Sequence, residues 1–184
     1  MEKTLSEKSG VLFKFATAIV LTAAAVLFPQ VIHLIGKWSH SGNALGTILL
    51  PMHFAVLLSG LILGPVAGGM IGAASPLISH LLTGMPNADQ VFLMCVELAV
   101  YGICTGLISK KKIAVPVKIL IAQIAGRIVK LFVAALLTLA LGDFALSVGS
   151  IAMTFLNGIP GMILQICLIP LLFYVFKGFT KYYE

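Results

Sequence analysis

Residues 49–86 read LLPMHFAVLLSGLILGPVAGGMIGAASPLISHLLTGMP and contain no Asp, Glu, Lys or Arg. Their polar content is two His, three Ser and one Thr, set among six Gly, four Pro and apolar residues. Gly64-Pro65 divides the stretch into two apolar segments. Water tolerates neither well in a small protein, whereas a bilayer accepts both as helices joined by a tight turn. His53 lies inside the first segment, and a polar group that deep in an apolar helix needs a partner or a task.

The rest of the chain has the same character. It has 184 residues, 60% hydrophobic and 10% charged, with a mean hydropathy of +1.11. Soluble domains carry about 25% charged residues. The expectation is therefore an all-α integral membrane protein forming a single membrane domain over 1–184. Six transmembrane helices are predicted near 11–35, 47–63, 66–82, 90–108, 113–141 and 150–176. Pro29 is expected to kink the first, and Asn157-Gly158-Ile159-Pro160-Gly161 to interrupt the last. Trp38 suits a membrane interface, and His40 and Asn43 read as solvated polar residues of the first loop.

The net charge of +6 is a topology signal rather than a nucleic-acid footprint. Lys3, Lys8, Lys14, Lys110, Lys111, Lys112, Lys177 and Lys181 fall at one set of helix ends and Lys37 at the other. The positive-inside rule then makes both termini cytoplasmic. The three cysteines (Cys95, Cys104, Cys167) lie in apolar segments with neither CxxC nor zinc-site spacing, and read as buried thiols. No metal or cofactor is expected. HExxH, GxSxG and GxxxxGK[ST] are all missing from the sequence, so enzymatic activity is not expected, and energy for any transport must come from an ion gradient or another subunit.

The candidate site residues are the polar groups inside the spans. His53 is about six residues from the nearer end of its span, Glu97 and Asn157 about seven, and Lys130 and Arg127 about 11 and 14. Similar depth on four helices suggests one shared cavity, because burying each group separately would cost several kcal/mol apiece. Each also has a structural reading. Glu97 and Arg127 can be an ion pair tying two helices, His53 a satisfied interior histidine, Lys130 a snorkelling or partner-facing side chain, and Asn157 the cap of a broken helix.

The stretches ALGTILLPMHFAVLLSGLILGPVAGGMIGAASPLISHLLTGMP, ELAVYGICTGLISKK, GRIVK and NGIPGMILQ resemble the substrate-binding (S) subunits of energy-coupling factor (ECF) vitamin transporters. The resemblance implies a six-helix S-component fold in a bacterial cell membrane that captures a water-soluble micronutrient at its outer face. It also implies partners: a transmembrane coupling subunit and two cytoplasmic ATPases. The family uses small residues spaced by four on its first helix to meet the coupling subunit, and Ala18 and Thr22 have that spacing here. The basic pair would hold a carboxylate or phosphate, with His53, Asn157 and Glu97 reading hydroxyls or ring nitrogens. Pantothenate and a pyridoxine-type vitamer are the leading substrates. The rival readings are a self-sufficient secondary transporter or small channel, and a structural or assembly membrane protein.

Overall fold

The computed structural model describes residues 2–40, 44–141, 153 and 155–180. Seven helices form among them: α1 (Glu2–Trp38), α2 (Ala44–Leu49), α3 (Pro51–Leu63), α4 (Pro65–Thr83), α5 (Ala88–Ile108), α6 (Val115–Leu141) and α7 (Ile159–Thr180). Proline and glycine set the joints. Pro51 and Pro65 open α3 and α4, where a missing N–H costs nothing. Gly64 alone separates α3 from α4, with φ 91°, and Gly84 ends α4 at φ 73°. Both angles are comfortable only for glycine. The tight turn expected at Gly64-Pro65 is therefore present.

The expected fold of six membrane-spanning helices, and with it the six-helix S-component fold, is not what the described residues form. Five stretches are long and apolar enough to cross a membrane: Val11–Trp38, Ala44–Leu63, Pro65–Thr83, Ala88–Ile108 and Val115–Ala140. The last apolar helix, Ile159–Val175, is shorter. At 1.5 Å per residue it reaches roughly 26 Å, against a hydrocarbon core of about 30 Å. The cause lies in the sequence break already noted: Gly158 sits in a turn, and α7 starts only after it. A second difference is that the span predicted over 47–63 is two helices. They meet at Leu50, which has φ 49° and ψ 51°.

The helices turn large apolar side chains such as Phe15, Ile19, Leu27, Ile124 and Ile128 outward, the arrangement a lipid environment calls for. The interior cluster joins Leu21 and Ala25 of α1, Val56 and Leu57 of α3, Leu98 and Tyr101 of α5, Ile119 and Ala122 of α6, and Ile169 of α7. Towards the Gly64 turn, α3, α4 and α5 touch backbone to backbone. A Cβ on Gly72 would strike the Leu98 carbonyl, one on Gly102 the Gly68 carbonyl, and one on Gly106 the backbone of Pro65. Small residues of this kind let membrane helices approach closely.

Candidate functional site

Glu97 of α5 is fully buried, and a lone carboxylate there would be prohibitively costly. Its neighbours offset that cost. Tyr101, one turn further along α5, donates its hydroxyl to Oε1 at 3.0 Å. Lys130 of α6 donates Nζ to Oε2 at 2.8 Å. Arg127, on the same face of α6 by its i, i+3 spacing, brings Nε to 3.1 Å from Oε1. The N–H is not aimed at that oxygen, so the contact is an ion pair without a hydrogen bond. The Arg127 guanidinium also lies 5.4 Å from the Phe155 ring centre. From α3, His53 places Nε2 3.8 Å from Oε1 and packs edge-on against Tyr101. Gly126 makes the arrangement possible, because a Cβ there would collide with the Tyr101 ring.

His53, Glu97, Arg127 and Lys130 form the floor of a cavity of about 290 Å³, the space of about ten liquid water molecules. The first turn of α3 (Pro51, Met52, His53) forms one wall, and Gln30 and His33 of α1 stand opposite. Gln90 and Met94 of α5 and the segment Met85, Pro86, Asn87 complete the lining towards the mouth. That segment, which includes a cis Met85-Pro86 bond, is tied to α4. Ser79 donates to the Met85 carbonyl at 2.8 Å, and His80 Nδ1 donates to that of Pro86 at 2.7 Å. Gln30 crosses from α1 to Ser79 and Thr83 at 3.3 and 3.1 Å.

Two features set this cavity apart from an ordinary gap in packing. The first is charge. Among the described residues, one carboxylate (Glu97) faces two cationic side chains (Arg127 and Lys130), so with His33 and His53 neutral the described lining carries a net charge of +1 inside the apolar span. The second is unmet hydrogen bonding. Six buried side-chain polar atoms lack a partner among the described residues. Five belong to residues that line the cavity: His33 Nδ1, both ring nitrogens of His53, and Nε and Nη2 of Arg127. Orphaned buried groups are rare and costly, and these atoms are themselves shielded from the cavity space.

A polar relay supports the wall. Leu50 lies in the left-handed region, which costs a non-glycine residue about 1–2 kcal/mol. Its carbonyl accepts from the His53 backbone N–H at 3.1 Å and from Gln165 of α7 at 3.2 Å. Gln165 in turn accepts from Gln123 of α6 at 2.9 Å. Gly161 lets α7 approach this joint, since a Cβ would meet the Ile48 and Leu49 backbone.

Of the residues singled out in the sequence, His53, Glu97, Arg127 and Lys130 come together at the cavity floor. Asn157 does not; it is exposed and lies outside the lining. Ala18 packs against the protein's own interior, and Thr22 donates its hydroxyl back to the Ala18 carbonyl at 2.8 Å. Asn43 lies outside the described residues. Sequence reasoning missed Tyr101, whose position one turn after Glu97 was the available signal. It also missed Gln30 and His33, polar residues at i, i+3 in an otherwise apolar stretch. Among the described residues, no three His, Cys, Asp or Glu side chains are placed to hold a metal ion.

The fold and the site define a class: a multi-span, all-α membrane protein with a charged cavity at one end of its helices. No family model, curated protein or solved structure matches the chain.

Proposed function

We propose that this protein is a non-enzymatic solute-capture subunit, of the type found in ECF vitamin transporters. It takes up a small water-soluble vitamin or precursor from outside a bacterial cell. Pantothenate and a pyridoxine-type vitamer are the leading ligands, with Arg127 and Lys130 as the groups that attract the solute's negative part. ATP hydrolysis belongs to partner subunits, two ATPases and a membrane coupling protein, because the chain itself has no P-loop. The single observation that carries the reading is the buried cluster of Glu97, Arg127 and Lys130 lining a cavity of ligand size within the apolar spans. Orientation has support too. Lys110, Lys111 and Lys112 follow α5 at the end remote from the cavity, which by the positive-inside rule supports a cytoplasmic position for that end and an outward-facing mouth.

Calorimetry on the purified protein with water-soluble vitamins is the direct test, with submicromolar binding of one of them expected. Uptake in cells should then require the coupling protein and both ATPases. Ion-driven uptake by this chain alone in ATPase-free vesicles would instead establish the rival reading, a secondary transporter. The intramembrane Glu97–Lys130 pair is the feature that favours that rival, since such pairs also serve proton relays.

A further inference from the structure

We infer that the cavity selects solutes carrying one net negative charge, and that the anionic group sits beside Arg127 while Lys130 stays with Glu97. This rests on the solute-capture reading and narrows it, to a pantothenate-like monoanion rather than an uncharged pyridoxine and to Arg127 rather than both cations.

The division between the two cations follows from their partners. Lys130 has a short, well-directed hydrogen bond to Glu97. Among the described residues, Arg127 pairs with Glu97 by charge without a hydrogen bond, and its Nε and Nη2 have no acceptor. Arg127 lines the cavity, and its guanidinium can only donate. A carboxylate accepts from several donors at once and suits this arrangement; an ammonium does not. The first turn of α3 adds to the bias. Leu50, at its N-cap, makes no side-chain capping bond, and Pro51, Met52 and His53 line the cavity. The positive end of a 13-residue helix therefore borders the same space.

The charge balance then fixes the valence. With Glu97 negative and Arg127 and Lys130 positive, a monoanion brings the lining to neutrality. A dianion leaves one negative charge buried, and a cation leaves two positive ones. Either imbalance costs several kcal/mol in a low-dielectric site. Nearer the mouth, Gln90, Asn87 and His33 add neutral polar groups, so the remainder of the solute is neutral and hydrogen-bonding.

The test is calorimetric titration of the purified protein with charge-matched probes. Nicotinate, nicotinamide and quinolinate offer one, zero and two carboxylates on the same ring. Pantothenate and pantothenol form a second pair, biotin and its amide a third, and thiamine is the cation. The expected result is that a monocarboxylate binds and its neutral or doubly charged counterpart is about 100-fold weaker, with no thiamine binding. Arg127→Gln should cost the monocarboxylate about 100-fold, and Glu97→Gln, which raises the lining to +2, should shift preference towards quinolinate. Tightest binding by thiamine, pantothenol or nicotinamide overturns the inference and leaves solute capture standing. Unchanged monocarboxylate affinity in folded Arg127→Gln overturns the assigned seat. Binding of no probe at all overturns the inference, and binding of none of the water-soluble vitamins overturns solute capture as well. The probe series on the unaltered protein decides the charge rule even where a variant fails to fold.

Discussion

The same three helices, α3, α4 and α5, behave in opposite ways at their two ends. Near Gly64 they are pressed together until backbones touch, at Gly60, Gly68, Gly72, Gly102 and Gly106. At the other end they stand apart around a cavity with a charged floor. Composition explains the difference. One end has glycines where neighbouring helices cross; the other has His53, Met94 and Glu97, side chains too large for such close approach. The glycine end gains its cohesion from van der Waals contact, which needs no charge. The cavity end forgoes that contact and keeps unmet hydrogen-bonding capacity, as functional sites do at the expense of stability. The lesson is that close packing at one end makes a loose, polar other end sustainable.

The sharpest way to break this comparison is to put a side chain into the glycine seam. Gly102→Leu would drive its Cβ into the Gly68 carbonyl. Because backbone cannot yield as a side chain does, the expected loss is 3 kcal/mol or more, by the order of magnitude of severe overpacking. It should appear as a large fall in thermal midpoint in detergent. A midpoint unchanged within error would mean that the seam is not what holds the bundle together. A smaller effect is expected at the cavity. Arg127→Met breaks a buried ion pair but leaves Glu97 its bonds to Lys130 and Tyr101, so the empty protein should lose about 1–3 kcal/mol, less than a carboxylate left unpaired would cost, while capture of anionic probes is lost. Thermal unfolding without ligand checks this; a more stable variant would show that Arg127 is kept at the expense of stability. Smallest is the wall. Gln165→Leu deprives the Leu50 carbonyl and Gln123 of a partner, at an expected cost of about 1 kcal/mol. Ligand affinity measured on the same variant then tells whether the Leu50 joint sets the position of His53.

Much of this architecture was legible in the sequence, and the limits are physical. A charged or polar residue in an apolar span is so costly that its presence announces a partner, which is why His53, Glu97, Arg127 and Lys130 were recognisable. Position along a helix gives depth but not azimuth, which is why Asn157 could be placed at the right depth although it is exposed and outside the cavity lining. For Ala18 and Thr22 the spacing marks one face of α1, but not that Ala18 is half-buried against the protein's own interior. Tyr101 escaped notice because a tyrosine in an apolar run reads as packing until its hydroxyl finds a carboxylate. The count of spans failed where the break around Gly158 delayed the start of α7, so apolar composition alone overestimated the helix.

The uncompensated cation at the cavity floor has an electrical consequence. A charge within the membrane interior feels the transmembrane voltage, at about 2.3 kcal/mol per elementary charge for a full crossing at 100 mV. The vacant lining carries one such charge; with a monoanion in place it carries none. Any movement of the site along the membrane normal is therefore voltage-sensitive when vacant and voltage-indifferent when filled. Under the proposed function, in a cell whose interior is negative, the field would pull the vacant site inward and resist its return, so resetting the site, rather than delivering its cargo, would be the step that works against the membrane potential.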